Sequence, residues 1–441
     1  VTDQNTLNNI GLDSLKLAEF SNDIQIYLEH KGLTDSLQEI DVKLLQNIAA
    51  SELYNLINKI QSSSIKSKKR IRNSFSQLQK EFQKNEMEVM NEDSCKEIPL
   101  LHQNEKLHHE NHVGDILLTG GTGFFGPFLL KSLLEQYNEN IYVIVRAKSI
   151  DDGMQRLNEG FSTINPTPNI RKKFKQRVKP LCGDIARPRL DLPDEQWNFL
   201  ADNIHTIFHN GAQVNYLLDY ESMRKSNVYG TYELLELSTF SRKKTFNHIS
   251  STFIFGWSTK DTLFEHDTNK NMEKLDFGYS QTKWVSERLV ARMIEKTING
   301  RIFRPALISP SIDGNGFNFD ISIRLFAFML NHGITTTAQN QVSLIPADIA
   351  ANNIVAISKI EESLGQTFHV TRDEYSNMMD VTNILGELTG TDFNIFPLNE
   401  FVKKVVERCE KSDLLFPLLN FFVRSSDKIG SMEFKRYDNS N

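Results

Sequence analysis

The sequence has few cysteines. Only Cys95, Cys182 and Cys409 occur among 441 residues, and no two of them have the C-x-x-C spacing of a metal or redox pair. This scarcity excludes a disulfide-rich secreted scaffold and gives no support to a zinc site. We therefore predict free thiols, no metal centre and a location in the reducing cytoplasm.

Long apolar runs and an excess of positive charge are missing as well. The mean hydropathy is -0.39 and the net charge is -6. A membrane span needs about 20 consecutive apolar residues, and a nucleic-acid-binding surface needs a basic face. We predict neither a membrane span nor a nucleic-acid partner. Because the chain starts at Val1 without a signal-like segment, we expect it to be a piece of a longer protein.

The composition and the hydrophobic pattern of the sequence change twice along the chain, which predicts more than one domain. Residues 1–60 carry apolar side chains at helical spacing, such as Phe20 and Ile24, and predict a small all-α bundle. Residues 61–112 are rich in charge and poor in large apolar side chains, which is typical of a linker that is in part helical. Residues 113–441 form the third region.

Short apolar runs alternate with helical stretches in this third region. The runs have the composition of strands and are DILLTG, IYVIVRA, VKPLCGD, HTIFHNGA, FNHISS and RIFRPALI. Strands that alternate with helices form a parallel sheet with helices on both faces. We therefore predict an α/β fold of the Rossmann type, a doubly wound parallel sheet.

A glycine-rich loop, TGGTGFFG at residues 119–126, follows the first of these strands and opens a helix. Its glycines permit a tight turn, close approach to a pyrophosphate and close packing of helix on strand. The order strand, loop, helix favours a dinucleotide site over a purely structural turn. The residues that we expect at the cofactor are Gly120, Thr122, Gly123, Phe124, Phe125 and Gly126.

The type of cofactor depends on the end of the second strand. NAD-selective sheets place a carboxylate there, whereas this sequence has Arg146, closely followed by Lys148. A guanidinium matches the geometry of a phosphate, so we predict NADPH, bound through its 2′-phosphate; the alternative is a surface arginine. Asp184 follows another strand and is expected near the adenine.

A strand that ends in the hydroxyls of Ser250, Ser251 and Thr252 precedes a helix beginning near Tyr279. Lys283 lies one helical turn after this tyrosine, on the same face. A neighbouring ammonium favours a phenolate, so we expect a lowered pKa for Tyr279. A serine hydroxyl would hold the substrate oxygen beside the phenol. The Tyr-x-x-x-Lys spacing alone is also common on ordinary helix surfaces; its position after the loop and the hydroxyls favours catalysis.

These motifs together resemble the extended short-chain dehydrogenase/reductase family, and within it the thioester reductase domains that end some polyketide and nonribosomal peptide synthetases. The matching segments span most of residues 115–360 and are TGGTGFFG, VIVRA, GDI, HNGAQVNYLLDY, NVYGTYELL, GYSQTKWVSE, IFRPALISP and PADIAANNI. HNGAxVN together with GYxQxKW separates this subgroup from sugar-nucleotide epimerases.

The resemblance implies roles for individual residues. Tyr279 would be the proton donor, Lys283 the group that holds the nicotinamide ribose, and Asn227 the supporting asparagine. Ser251 would be the catalytic hydroxyl, with the adjacent Thr252 as the alternative.

Other matching segments have two interpretations each. Arg304 and Pro305 either form a floor for the nicotinamide or pack structurally. An expected smaller substrate-binding part follows residue 310. Five of its apolar side chains either line an acyl channel or form core, and these are Phe317, Phe319, Phe326, Phe328 and Met329. We also expect a turn beside the cofactor, formed by Asn210, Gly211 and Ala212. An ordinary turn at the end of a strand would have the same sequence.

The stretch IGLDSL near the start resembles the attachment motif of acyl and peptidyl carrier proteins, in which Asp-Ser-Leu begins the second helix. Ser14 would then carry a covalent 4′-phosphopantetheine arm, added by a phosphopantetheinyl transferase. A helix start leaves the hydroxyl exposed and tolerates a phosphate. The alternative is an ordinary helix cap at Asp13 or Ser14. The downstream motifs favour a partial carrier domain in residues 1–60.

The resemblance implies an NADPH-dependent thioester reductase in residues 113–441. It would release a carrier-bound acyl or peptidyl thioester as an aldehyde, or as an alcohol after a second round, with upstream synthase domains as partners. One alternative is a free-standing fatty acyl-CoA reductase in which Ser14 has no role. Another is a non-catalytic cofactor-binding scaffold module, which the presence of Ser251, Tyr279 and Lys283 disfavours.

Overall fold

The computed structural model describes most of the chain from residue 83 onward. The described residues are 23–24, 26–27, 30, 51, 54–55, 80–81, 83–99, 114–256, 258, 260–270, 272–275, 277–339, 341, 343–431 and 436–440. Ser14 lies outside them, as does most of the expected carrier region. The few described residues of that region are helical.

Seven parallel strands form the central sheet. In order across the sheet they are β3 (Val178–Cys182), β2 (Ile141–Val145), β1 (Asp115–Thr119), β4 (Ile204–His209), β5 (Thr245–Ile249), β7 (Gly300–Pro305) and β11 (Thr367–Val370). The strand order reverses between β1 and β4, where Thr119 lies opposite His209. Doubly wound sheets bind ligands at the carboxyl ends of the strands at such a point. The predicted fold class is confirmed.

Helices cover both faces of this sheet. One face is covered by α1 (Gly126–Gln136), α2 (Ile150–Ser162), α3 (Pro168–Arg177) and α9 (Ala347–Ile357). The other is covered by α4 (Asp194–Asn203), α5 (Tyr220–Arg224), α6 (Gly230–Thr239) and α7 (Gly278–Lys296). Side chains of β1 alternate between the two cores, because successive residues of a strand point to opposite faces. Ile116 and Leu118 lie in the first core and Leu117 in the second.

A smaller part is built from segments that follow β7, as expected. Its elements are β8 (Leu307–Ser309), α8 (Ile321–His332), β9 (Ile334–Thr336), β10 (Leu344–Pro346), α10 (Met378–Thr389), β12 (Asn394–Phe396), α11 (Leu398–Arg408) and α12 (Leu419–Ser431). Strand β8 pairs with β10, and β9 pairs with β12. Phe328, Met329, Phe401 and Phe422 form its core. Phe328 and Met329 are therefore core residues and not part of an acyl channel.

Residues 83–95 form a helix that packs on the second face of the sheet. Met90 is fully buried in the same core as Leu117. The Asp93 carboxylate is 4% exposed and accepts hydrogen bonds from the Tyr220 hydroxyl and from Nε of Arg224, both at 2.6 Å. This helix is therefore an integral part of the α/β body.

This packing corrects the expected linker at residues 61–112. Within that segment, Glu86 accepts a hydrogen bond of 2.6 Å from the Gln281 side chain, and the Ser94 carbonyl accepts one of 2.8 Å from Arg292. Both donors lie on α7. The helix resembles a linker in composition because most of its side chains are charged or polar and only a few apolar ones anchor it.

Across the described ranges, no helix is long and apolar enough to cross a membrane. All three cysteines are free thiols.

Candidate active site

The carboxyl ends of β1, β4, β5 and β7 surround a cavity of about 460 Å³. Residues that follow these strands line it, among them Gly120, Asn210 and Ser250. The opposite wall comes from the smaller part and includes Asp320 and Leu418. The cavity therefore lies where doubly wound sheets bind their ligands, between the sheet and a second unit.

The glycine-rich loop approaches its neighbours so closely that side chains are excluded. Gly120 has a φ of +73°, and a Cβ at this residue would lie 2.8 Å from the Cα of Gly211. A Cβ on Gly126 would overlap the carbonyl oxygen of Gly120. The loop therefore presents backbone atoms to a ligand, which is what close approach of a pyrophosphate requires.

The predicted cofactor residues of this loop differ in their exposure to the cavity. Thr122 is exposed beside it, and Gly126 is buried at the first position of α1. The loop residues that line the cavity are Gly120, Gly123, Phe124 and Phe125.

The turn at residues 210–212 lies against the glycine-rich loop. The Asn210 side chain donates a hydrogen bond of 3.3 Å to the Gly120 carbonyl, and the Gly211 amide donates one of 2.9 Å to the Thr119 hydroxyl. Asn210 and Ala212 line the cavity, whereas Gly211 is buried behind them. The turn thus joins the ends of β1 and β4 into one surface.

Arg146 and Asp184 lie at the same edge of the sheet but do not line the cavity. Arg146 directly follows β2 and is exposed. Asp184 follows β3, and its carboxylate accepts a hydrogen bond of 3.0 Å from the Ala186 amide. This carboxylate therefore shapes its own loop.

Ser251, Tyr279 and Lys283 come together on one wall of the cavity. The Ser251 side chain lies near enough to the Tyr279 phenol to act on its pKa. Tyr279 is the second residue of α7, and Lys283 follows one turn later, where its ammonium donates a hydrogen bond of 2.5 Å to the Ile249 carbonyl at the end of β5. Helix α7 and β5 thus bring a phenol, an alcohol and an amine to one surface.

The pKa of Tyr279 differs from the expectation. Burial raises the pKa of its phenol to about 12, and the Ser251 side chain opposes this shift only in part. The expected lowering of the pKa is therefore wrong for the protein on its own. Burial also lowers the pKa of Lys283 to about 8, against the opposing charge of Glu287. Since desolvation disfavours charge, Tyr279 is protonated and can donate a proton at neutral pH.

Two adjacent hydroxyls follow β5, and they face different neighbours. Ser251 lines the cavity and accepts a hydrogen bond of 3.2 Å from the Phe253 amide. Thr252 does not line the cavity. Of the two candidate catalytic hydroxyls, Ser251 is therefore the one that faces the cavity.

Asn227 lies behind the cavity, in a π-helical turn (Lys225–Tyr229) between α5 and α6. Its Oδ1 accepts a hydrogen bond of 2.7 Å from the Gln213 amide, and its Nδ2 donates bonds of 3.0 Å to the Gln213 carbonyl and 2.9 Å to the Thr282 hydroxyl. Single π turns often occur at functional sites. Asn227 thus holds the cavity loop against α7 and does not itself line the cavity.

Arg304 is held behind the wall by a buried ion pair. Its guanidinium lies 2.7 Å from the Glu287 carboxylate, and it donates a bond of 3.0 Å to the Glu265 carbonyl. Glu287 also accepts a bond from the Ser250 hydroxyl. Of the two interpretations for this dipeptide, structural packing fits Arg304, while Pro305 lines the cavity.

Sequence patterns missed the aromatic wall on the substrate side of the cavity. The rings of Tyr216 and Phe253 both line it, and Phe253 makes an edge contact with the Tyr279 ring at 6.4 Å. Phe319 also lines the cavity, which agrees with the interpretation of this residue as part of an acyl channel. Only the aromatic content of HNGAQVNYLLDY and of the stretch after residue 310 hinted at this wall.

The Male sterility protein family, a family of NAD-binding domains, matches residues 118–354, more than half of the chain. The chain belongs to this family. The Male sterility match contains every predicted site residue except Ser14. The match supports a nicotinamide cofactor for this chain.

Individual relatives of this member of the Male sterility family include parts of peptide and polyketide synthetases. A linear gramicidin synthase of Brevibacillus parabrevis is 29% identical over 326 residues, which cover 72% of this chain and 6% of that protein. The terminal R domain from the myxalamid PKS-NRPS biosynthetic pathway has a TM-score of 0.74 at 28% identity, covering 80% of this chain and 89% of that one. The predicted resemblance to reductase domains of such synthetases is confirmed.

A third comparison extends further toward the start of the chain. A thiolation-reductase di-domain from an archaeal non-ribosomal peptide synthetase has a TM-score of 0.68 at 18% identity, and the match covers 96% of this chain and 84% of that one. At this identity the likeness concerns the fold alone. The chain spans between 6% and 32% of the length of the first curated relatives that it matches.

Proposed function

We propose that the chain is an NADPH-dependent thioester reductase that releases a carrier-bound acyl or peptidyl group as an aldehyde. The observation that carries this proposal is that Ser251, Tyr279 and Lys283 lie together on the wall of a cavity floored by the glycine-rich loop. The family match and the similarity to synthetase reductase domains support it.

The roles of the three side chains follow from their chemistry. A nicotinamide held by the glycine-rich loop, including Gly120 and Gly123, would supply the hydride for the thioester carbonyl carbon. Ser251 and Tyr279 donate hydrogen bonds to the carbonyl oxygen and stabilise its developing negative charge. Tyr279 then gives its proton to this oxygen and forms a hemithioacetal. Collapse of the hemithioacetal breaks the carbon–sulfur bond, and the products are an aldehyde and the free thiol of the carrier arm.

Lys283 and Asn227 have supporting roles in this proposal. The Lys283 ammonium provides donors on the cavity wall for the ribose hydroxyls of the cofactor. Asn227 positions the loop that contains Gln213 and, through Thr282, the first turn of α7. Asn227 is therefore a positioning residue and not one that touches the reacting atoms.

The proposal is tested with a small acyl-pantetheine thioester, NADPH and the purified chain. We expect oxidation of NADPH, which is monitored by its absorbance. In the first round, one aldehyde molecule should form for each NADPH oxidised. Cofactor binding without turnover of any thioester would instead favour the scaffold alternative.

Arg146 is the proposed determinant of NADPH over NADH, with Asp184 beside the adenine. Arg146→Ala is expected to raise the Kd of NADPH about 10-fold or more, since a hydrogen bond to a charged group contributes roughly 1.5–3 kcal/mol. The Kd of NADH should stay the same, because NADH lacks the 2′-phosphate. Both values can be measured by cofactor fluorescence. Arg408→Ala, which removes an exposed arginine from α11, is the matched control. Equal losses for NADPH and NADH would contradict the assignment.

We propose the following organisation of the chain. Residues 1–60 are a partial carrier domain, a linker follows it, and the reductase body includes the helix at 83–95 together with residues 114–440. A carrier on the same chain raises the local concentration of the thioester at the cavity. Upstream synthase domains load the carrier. Because the three cysteines are free thiols, we also propose that the protein works in the reducing cytoplasm.

Ser14 is the proposed attachment site of 4′-phosphopantetheine. After incubation with coenzyme A and a phosphopantetheinyl transferase, the intact chain should gain the mass of one phosphopantetheine group. Ser14→Ala should gain none, because the hydroxyl that forms the phosphodiester is missing. A wild-type chain that gains no mass would favour the free-standing acyl-CoA reductase.

A further inference from the structure

An ion pair joins the expected carrier region to the smaller part of the molecule. Nζ of Lys411 lies 2.9 Å from Oδ2 of Asp23, and 388 residues separate the two in sequence. Asp23 belongs to a stretch of the carrier region whose described residues, between 23 and 30, are helical. Ser14, the proposed attachment site, precedes Asp23 by nine residues. Because nine residues span at most about 30 Å even when fully extended, the proposed arm is rooted near this ion pair.

The loop that carries Lys411 has a fixed backbone. Lys411 follows α11, and Oδ2 of Asp413 accepts a hydrogen bond of 2.9 Å from the Glu410 amide. The same carboxylate lies 3.1 Å from Nε2 of His332, at the end of α8. Leu415 is fully buried in the core of the smaller part. The position of the Lys411 ammonium therefore depends on a loop that is anchored to the folded body.

This loop continues to the rim of the cavity. The Leu414 carbonyl accepts a hydrogen bond of 2.7 Å from Arg324, whose Nε donates one of 3.0 Å to the Phe319 carbonyl. Arg324 and Phe319 both line the cavity, as does Leu418 at the end of the loop. Phe319 is 51% exposed and Leu414 is 44% exposed. The surface between Lys411 and the cavity is therefore partly apolar and open to a partner.

The exposure of the ion pair suits a reversible contact. The Lys411 side chain is 69% exposed and the Asp23 side chain 46% exposed. Such pairs contribute little to stability, and salt screens them, but complementary charges orient two surfaces and speed their encounter. A carrier must dock to deliver its thioester and must then leave to be reloaded. By contrast, the Asp93 carboxylate in the permanent body is only 4% exposed.

We propose that the docking loop, residues 409–418, is the surface on which the carrier region of this chain docks, held there by the pair Lys411–Asp23. The arm then enters the cavity past Phe319 and Leu418, and its thioester faces the catalytic wall opposite. The inference rests on the proposed function, because it concerns delivery of the thioester to the same cavity. The competing explanation is a contact between two exposed charges that has no role in delivery.

Charge reversal tests the proposal with the acyl group loaded on the Ser14 arm. Lys411→Glu should slow single-turnover release of the aldehyde about 5-fold, because repulsion replaces attraction at an exposed pair. Adding Asp23→Lys to this variant should restore the wild-type rate, since the pair forms again with its charges exchanged. A free acyl-pantetheine thioester should be reduced equally by all three proteins, because neither residue lines the cavity.

Lys404→Glu is the matched control, because Lys404 also lies in the smaller part, on α11, and pairs with Glu407 at 2.7 Å. It should release the aldehyde at the wild-type rate. Release by Lys411→Glu at the wild-type rate would overturn the proposal. A loss that the exchanged pair does not restore, or an equal loss with the free thioester, would overturn it as well. Each of these results leaves the proposed function of the wild-type chain intact.

A cross-link tests the docking surface without any need for turnover. A carbodiimide joins an ammonium and a carboxylate in contact through an amide bond and takes up the water that is lost. In dilute protein, where links form within one chain, we expect mass spectrometry of the digest to show Lys411 joined to Asp23. Lys260 and Asp267, on either side of β6 (Thr262–Leu263) and 2.6 Å apart, are the internal control.

The control link without the link between Lys411 and Asp23 would refute the docking surface. A wild-type chain that reduces no thioester refutes the proposed function, and the cross-link still decides where the carrier region docks.

Discussion

Tyr279→Phe is expected to lower the rate of thioester reduction by about 10²- to 10⁴-fold, the usual contribution of a positioned general acid. The phenylalanine ring keeps its edge contact with Phe253 but can give no proton to the thioester oxygen. Binding of NADPH should change little, because the glycine-rich loop and Lys283 remain. The measurement is kcat for aldehyde formation, with the Kd of NADPH determined in parallel.

Tyr142→Phe serves as the control, because it removes a phenol hydroxyl from a tyrosine on β2 that does not line the cavity. It should reduce the thioester at the wild-type rate. Undiminished reduction by Tyr279→Phe would remove Tyr279 from the mechanism. Since burial raises the pKa of Tyr279 to about 12, its ionisation should not limit the wild-type rate near neutral pH.

The second large effect is expected far from the cavity, at Asp93. Asp93→Ala should lower the free energy of unfolding by about 3 kcal/mol, as removal of one member of a buried ion pair does. The change leaves the Arg224 guanidinium without its buried carboxylate partner, and it leaves the buried Tyr220 hydroxyl without the acceptor at 2.6 Å. Urea unfolding of the two proteins measures the difference.

Glu221→Ala is the matched control because Glu221 also pairs with Arg224, at 3.1 Å, but its side chain is 66% exposed. An exposed ion pair contributes at most about 1 kcal/mol, so this variant should unfold close to the wild type. If Asp93→Ala were as stable as Glu221→Ala, the helix at residues 83–95 would not belong to the folded body.

Local patterns in the sequence located much of the cavity. The glycine-rich loop and the pair Tyr279–Lys283 are each defined by spacings of a few residues, and such spacings fix which side chains share a turn or a helix face. Helix α7 begins one residue before Tyr279, and β5 ends one residue before Ser250. The order of strands and helices then placed these segments at one edge of the sheet.

The remaining features depend on contacts between distant segments, which leave no local pattern. Asp93 has the appearance of a solvated charge, because its partners Tyr220 and Arg224 follow 127 and 131 residues later. The pKa of Tyr279 departs from the prediction in direction because burial of the phenol, which depends on the tertiary fold, has the largest effect on it.

In the proposed reaction a hydride from NADPH reaches the carbonyl carbon of a thioester in the cavity. The most direct measurement uses NADPH with deuterium at both C4 positions and the chain loaded with an acyl group on its carrier arm. We expect an aldehyde with one deuterium on its carbonyl carbon, released together with the free thiol of the arm. An unlabelled aldehyde, or a free acid formed without oxidation of NADPH, would contradict it.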